Sequence, residues 1–218
     1  MKKAILKTLV YSDIFNFPLK KQEIWDALIW EKKTLPKFSD FEKELESLKK
    51  TRKIKSDKGF FFVFNNKKAI ALRKKREKYS KEKLKVAKKT GFWLKAVPTI
   101  KMVAITGSLA VLNSEKQDDI DFLIVSSENK LWITRALATL AIELVAKRRR
   151  PNQVEIKDKI CLNMFLDEKA LKFQKQRRDL FSAHEISQVA LLWERNNCFK
   201  KFKKNNLWVK DYLPNWKS

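Results

Sequence analysis

The sequence has few of the residues that build small metal-bound or disulfide-bonded scaffolds. It contains one histidine, His184, and two cysteines, Cys161 and Cys198. The cysteines lie far apart in the chain, so we expect no disulfide framework. A zinc site made of cysteine and histidine ligands cannot be assembled from these three residues. The chain also contains no internal repeat and no low-complexity tract.

Long apolar runs are absent as well. The best candidate, residues 136–146, contains Glu143, and a membrane-spanning helix needs about 20 apolar residues. The first three residues resemble the start of a signal peptide, but Lys7 and Asp13 interrupt the apolar stretch that follows. We therefore expect no membrane segment and a cytoplasmic protein.

Acidic residues are scarce relative to basic ones. The chain has 25 Asp and Glu against 50 Lys and Arg, a formal net charge of +25. Such a charge favours a polyanionic partner, most simply nucleic acid. The alternative is a lysine-rich surface with no binding role. The apolar content of 44% over 218 residues is typical of a folded chain with one or two domains.

The most informative stretch lies in the middle of the chain. Residues 102–105 form a short apolar run that predicts a buried strand, and Gly107-Ser108 ends it. A short helical pattern follows, and residues 120–125 predict a second strand. Asp119 and Asp121 lie on either side of Ile120, the first residue of this second strand. Because side chains alternate along a strand, both carboxylates point to one face.

Two carboxylates on one face of a mostly apolar strand repel each other and lose hydration unless a cation lies between them. A hard divalent ion such as Mg²⁺, or Mn²⁺ in its place, is the natural candidate. The alternative is a solvent-exposed strand end that carries two acids beside an ordinary Gly-Ser turn.

The combination of strand, Gly-Ser turn, helix and Asp-x-Asp strand resembles the DNA polymerase β-like nucleotidyltransferase superfamily over residues 100–166. The resemblance implies that Asp119 and Asp121 are the catalytic, metal-binding residues. It further implies that Gly107 and Ser108 bind the terminal phosphates of an NTP. Glycine permits close backbone approach and serine supplies a hydroxyl, which agrees with that role.

Residues 160–166 predict the third strand that the resemblance requires. Family members that extend a polynucleotide usually have a third carboxylate on this strand, and the only polar residue here is Asn163. Asparagine can bind a metal through its carbonyl but cannot accept a proton at neutral pH. Arg135, on a predicted helix over residues 132–147, is a candidate phosphate contact, with a surface salt bridge as the alternative.

The first 65 residues resemble a winged helix. Helices are predicted over residues 4–15 and 20–30, and a capping box at Ser39 predicts a third helix. A hairpin with its turn at residues 56–59 follows. Such a module binds either duplex DNA or another protein surface.

Residues 67–89 carry twelve Lys or Arg against Glu77 and Glu82. An apolar residue recurs every seven positions, which predicts a helix with one narrow packed stripe; these residues are Leu72, Tyr79 and Val86. The basic helix either follows nucleic-acid phosphates or is a charged linker.

The sequence therefore predicts an α/β (α+β) protein with a nucleotidyltransferase-like mixed sheet and flanking helices, preceded by a small winged-helix-like domain. The predicted divisions are residues 1–65, a basic connecting helix 66–97, the core 98–167 and a C-terminal helical cover 168–218. The expected activity is metal-dependent transfer of a nucleotidyl group from an NTP to an acceptor hydroxyl, associated with nucleic acid. The alternative is a non-catalytic nucleic-acid-binding or regulatory protein that keeps a degenerate form of this fold. The oligomeric state stays open.

Overall fold

The computed structural model describes residues 1–32, 34–64 and 67–217, and only the backbone of Lys67. The described chain has the mixed α/β class predicted from the sequence, with helices and two sheets. Its α-helices are α1 (Lys2–Ile14), α2 (Lys21–Asp26), α3 (Phe38–Lys50), α4 (Lys67–Trp93), α5 (Gly107–Ala110), α6 (Leu131–Val145), α7 (Leu180–Ser187) and α8 (Cys198–Asn205). Its strands are β1 (Leu19–Lys20), β2 (Lys55–Asp57), β3 (Phe60–Phe62), β4 (Ile100–Ile105), β5 (Ile120–Ser126), β6 (Ile160–Asp167) and β7 (Ala190–Glu194).

The chain divides into two compact units. The first comprises Met1–Lys75, Arg178–Ser187 and Leu207–Ser218, and the second comprises Arg76–Arg177 and Gln188–Asn206. The predicted boundary between residues 65 and 66 falls on Asn65 and Asn66, which lie outside the described residues. The division between the units falls within α4, and the predicted C-terminal cover contributes segments to both units.

The first unit packs α1, α2 and α3 with a three-stranded antiparallel sheet of order β1-β3-β2. Lys58 and Gly59 form the two-residue turn between β2 and β3, and both have positive φ (48° and 80°), as hairpin turns of this length require. Side chains from the helices and from β3 form one apolar core; its fully buried members include Ile5, Leu9, Ile24, Leu28, Phe41 and Leu45. The winged-helix assignment stays a prediction.

Two local predictions in this unit are wrong. The second helix ends at Asp26 and not at Trp30, because the following residues bond to other segments: the Ile29 N–H donates to Thr8 Oγ1 (2.9 Å) and the Trp30 N–H to the Tyr212 carbonyl (3.1 Å). The third helix begins at Phe38, and no capping side chain closes its start, so Ser39 lies inside the helix.

The second unit is built on a four-stranded sheet of order β6-β5-β4-β7. Strands β5 and β6 are parallel, whereas β4 is antiparallel to both β5 and β7. Helix α6 and the C-terminal half of α4 supply Ala138, Ile142 and Ala87 to the apolar core on one face of this sheet. Strand β7 lies in the segment predicted to be a helical cover, so that part of the prediction is wrong.

The buried stripe of α4 differs from the predicted one by one residue. Leu72, Tyr79 and Val86 are only partly buried. The buried positions of the helix instead include three cations, and each of these has an acidic partner; they are Arg73, Arg76 and Lys83. Three of the basic side chains of this helix therefore form ion pairs inside the fold.

Within the described residues, no helix combines the length and the apolar character needed to cross a membrane.

Candidate metal centre

Strand register brings three polar side chains to the same face of the second sheet. Ile105 pairs with Phe122, and both enter the apolar core, so their neighbours Thr106 and Asp121 face the opposite side. The Thr106 N–H donates to the Asp121 carbonyl (3.1 Å), which extends this pairing by one residue. On the other side of β5, Asp121 pairs with Cys161 of β6.

The loop before β5 is fixed by hydrogen bonds and by a buried lysine. The Asp118 carboxylate accepts the Glu115 N–H (2.8 Å) and the Ser108 hydroxyl (3.2 Å). Lys83, with 2% of its side chain exposed, donates to the Asp118 carbonyl (2.6 Å) and to the Asp158 carboxylate (2.7 Å). These contacts set the position of the next residue, Asp119.

The resulting cluster contains Asp119, Asp121 and Cys161. One ligand atom from each lies within 4.8 Å of the other two. Gly107 borders the cluster with φ +66°, and a Cβ atom placed there would lie 3.1 Å from Asp121 Oδ2. Glycine at this position therefore satisfies both a left-handed backbone and a close approach to the carboxylate.

The negative charge of the cluster is only partly compensated. Arg149 donates through Nη1 to Asp119 Oδ2 (2.7 Å), and this contact raises the pKa of the guanidinium. Burial, and then the neighbouring Asp119 carboxylate, raise the pKa of Asp121. Burial, followed by the hydrogen bond to Asp121 and the surrounding negative charge, raises the pKa of the Cys161 thiol to about 12. A bound cation would stabilise the ionised form of the Asp121 carboxyl group and so lower its pKa.

The structure brings together some of the predicted site residues. Asp119, Asp121 and Gly107 meet at the cluster, and Ser108 lies next to Gly107 with its side chain bonded to Asp118. Arg135 is exposed on α6, where its guanidinium lies 5.4 Å from the centre of the Phe165 ring.

Asn163 does not occupy the position that pairs with Asp121. Cys161 has that place, two residues earlier on β6. The register of β5 and β6 shifts between Asp121 and Leu123, and Asn163 is an exposed residue in that irregular stretch. The third-strand position of the site is therefore a thiol, which is a poor proton acceptor at neutral pH because its pKa is about 12.

Two residues at this site were not predicted: Cys161, which belongs to the cluster, and Arg149, which donates a hydrogen bond to it. Cys161 lies on a strand that the sequence does predict, but only the register shows what it faces. Arg149 belongs to the run Arg148-Arg149-Arg150 shortly after the end of α6, where basic side chains generally complement the helix dipole. The two outer arginines do bond to Glu143 on α6, whereas Arg149 bonds to an aspartate 30 residues away in sequence.

Comparison with known proteins gives no relative for this chain: no protein-family model, no curated protein and no solved structure matches it. The chemistry of the cluster therefore has to be inferred from its own side chains. Two adjacent carboxylates are ligands that suit a divalent cation. The sulfur atom of Cys161 is a donor that magnesium does not favour.

Proposed function

We propose that the chain transfers a nucleotidyl group from an NTP to an acceptor hydroxyl, with a divalent cation held by Asp119 and Asp121. The observation that supports this proposal is the closeness of the Gly107 turn to the Asp121 carboxylate, whose Oδ2 would lie 3.1 Å from a Cβ atom at Gly107. A glycine turn can hold phosphate oxygens through its backbone, and carboxylates hold the cation that those oxygens need. The two elements that the sequence resemblance pairs are therefore also neighbours in space.

Each residue has a defined role in this proposal. Asp119 and Asp121 bind the cation, and Gly107 lets a terminal phosphate approach the backbone. The exposed Ser108 hydroxyl, which donates to Asp118 (3.2 Å), can rotate to donate to a phosphate oxygen instead. A cation held by these two carboxylates would neutralise the charge of the phosphate groups.

Transfer of label tests the proposal. The protein is incubated with each NTP, carrying a labelled α-phosphate, together with Mg²⁺ or Mn²⁺ and pooled cellular RNA and protein. We expect label to appear in an acceptor with the wild-type chain and not with the Asp119→Asn, Asp121→Asn double variant. Glu128→Gln is the matched control, because this exposed carboxylate follows the far end of β5 and its loss should leave transfer unchanged. Absence of label with all four NTPs would refute the activity.

A second candidate function is non-catalytic binding of nucleic acid. Two observations favour it: Cys161 supplies no general base, and Arg149 already contacts Asp119. In addition, the part of α4 within the second unit presents a row of exposed lysines on its solvent side, namely Lys78, Lys81, Lys85, Lys88 and Lys89. Lysines in such a row would contact successive phosphates.

Salt dependence tests this second function. The affinity for fluorescent single-stranded RNA and duplex DNA should fall linearly with salt on logarithmic axes. Replacing Lys78, Lys88 and Lys89 by glutamine should reduce the slope by about one for each lost phosphate contact. The control has the same loss of charge at exposed lysines elsewhere in the second unit, Lys157, Lys169 and Lys172, and should keep the slope. Equal slopes in both triple variants would show that this face of α4 does not bind nucleic acid.

A further inference from the structure

The third donor of the cluster determines which cation the site selects. Mg²⁺ is a hard ion that takes oxygen ligands in octahedral geometry. Zn²⁺ and Co²⁺ are softer and accept thiolate together with carboxylate. A site with Asp119, Asp121 and Cys161 within 4.8 Å of one another therefore offers magnesium two ligands but offers zinc three.

A separate observation points to a ligand at this face of the sheet. Thr106 is 6% exposed, and its hydroxyl oxygen has no hydrogen-bond partner within the described part of the chain. The strand pairing places its side chain beside Asp121. Buried hydroxyl groups rarely lack a partner, and a second hydrogen-bonding shell is usual around metal ligands. The Thr106 hydroxyl is placed to bond to a ligand oxygen or to a water molecule on a bound ion.

The charges around the cluster are also consistent with a divalent cation and a thiolate. Two carboxylates and one thiolate carry three negative charges, and the cation with the Arg149 guanidinium carries three positive ones. The Arg149 side chain bonds to only one oxygen of Asp119, namely Oδ2, which leaves Oδ1 for the cation.

We propose that the site binds a thiophilic divalent cation of the zinc type, with Cys161 as the third protein ligand beside Asp119 and Asp121. The inference rests on the cation site of the proposed function and names the metal that this site selects. Binding forms a metal–sulfur bond, and the thiol proton is released to solvent. A fourth coordination position stays open for water or substrate, as in catalytic zinc sites.

Cobalt is the probe for this inference, because a cobalt–thiolate bond absorbs light by charge transfer whereas cobalt bound by oxygen alone does not. The metal-free protein is titrated with Co²⁺, and Zn²⁺ is then added as a competitor. We expect a charge-transfer band that saturates at one ion per chain and disappears on addition of Zn²⁺. Cys161→Ser should abolish the band and weaken Zn²⁺ binding at least about tenfold, since even outer-shell changes have effects of that size.

Two further variants sharpen the experiment. Cys198→Ser is the matched control, because it makes the same chemical change at the other cysteine, which is buried at the start of α8, and should keep the band. Cys161→Asp restores a hard third ligand, so it should lose the band and gain affinity for Mg²⁺ relative to Zn²⁺.

A measurement on the unmodified chain makes the result independent of variant folding. The rate at which a maleimide alkylates Cys161, followed by peptide mass spectrometry, should fall when Zn²⁺ is added and stay the same with Mg²⁺. If Zn²⁺ gives no protection and cations bind equally well to wild type and Cys161→Ser, the inference is wrong while the carboxylate site of the proposed function stands. If no divalent cation binds the wild-type chain at all, both the inference and the proposed function are wrong.

Discussion

His184 should make the stability of the first unit depend on pH. This residue lies on α7 and is 5% exposed. Its ring stacks on that of Tyr11 with centroids 4.3 Å apart, and Nε2 has no hydrogen-bond partner among residues 1–32, 34–64 and 67–217. Because burial disfavours the charged imidazolium, the pKa of His184 is lowered from 6.5 to about 4.

The sign and the size of the effect follow from the two pKa values. Between pH 6.5 and pH 4 the unfolded chain binds a proton at this residue more readily than the folded chain does. Protonation therefore favours unfolding, and the free energy of unfolding should decrease as the pH falls through this range. The loss from His184 alone is about 2 kcal/mol between pH 7 and pH 5, and its limit at lower pH is about 3 kcal/mol.

The test compares the wild-type chain with His184→Phe, which keeps an aromatic ring against Tyr11 but cannot be protonated. Urea unfolding is followed by circular dichroism at pH 7 and pH 5. We expect the free energy of unfolding of the wild type to fall by about 2 kcal/mol more than that of the variant over this interval. Their difference at any single pH does not matter, since only the change with pH reports the titration.

A direct measurement can contradict this reasoning. The chain contains one histidine, so one pair of imidazole signals in the NMR spectrum reports its pKa in the folded protein. A midpoint near 6.5 would mean that His184 is not buried as described. Equal pH dependence of unfolding in wild type and His184→Phe would lead to the same conclusion.

Three further changes probe the candidate metal centre. Gly107→Ala should lower the free energy of unfolding by about 1–2 kcal/mol, because alanine is strained at positive φ, and should weaken cation binding in a calorimetric titration, because its methyl group approaches Asp121. Arg149→Gln should raise the affinity for Zn²⁺ and Mn²⁺ in the same titration, because it removes a positive charge bonded to Asp119. Lys83→Met should destabilise the second unit by about 1–3 kcal/mol in urea unfolding, because it removes the hydrogen bonds that the buried ammonium group donates to the Lys116 and Asp118 carbonyls and to the Asp158 carboxylate.

Each change has its own control or contrary result. Gly59→Ala also places alanine at positive φ, but nothing lies within 4 Å of its Cβ position, so it should destabilise the chain and leave cation binding unchanged. Unchanged or weaker metal affinity in Arg149→Gln would mean that the Asp119 contact does not form in solution. Lys85→Met, at an exposed position of the same helix, should change the free energy of unfolding by less than about 0.5 kcal/mol; an equal effect at both lysines would contradict the buried role of Lys83.

Local sequence patterns predict three of the four strands of the second sheet. The predicted runs 102–105, 120–125 and 160–166 correspond to β4, β5 and β6, because each is a short and mostly apolar segment. Strand β7 was not predicted, since its sequence ALLWE suits a helix as well as a strand. Its extended conformation comes from pairing with β4, and such pairing is not visible in a local pattern.

Which residues form the site depends on the register between β5 and β6, and local sequence patterns do not predict that register. A third strand beside the Asp-x-Asp strand could be predicted, yet the residue that faces Asp121 changes with a shift of one or two positions. The pairing places Cys161 and not Asn163 opposite Asp121, and the register shifts only after this pair. Arg149 is harder still to predict, because it lies in the segment between α6 and β6, 30 residues after Asp119 in the sequence.

The way α4 is held within the second unit has a consequence for its response to temperature. From Arg76 to Lys83 the buried positions of this helix are polar: Arg76 pairs with Glu115, the Ser80 hydroxyl accepts the Ser114 N–H (3.1 Å), and Lys83 pairs with Asp158. Opening of this segment exposes little apolar surface, so its heat-capacity change should be small. The cost of dehydrating its charged groups also falls as the temperature rises. In hydrogen exchange measured at increasing temperature, protection of these turns should therefore decline more slowly than that of the apolar strands β4 and β5.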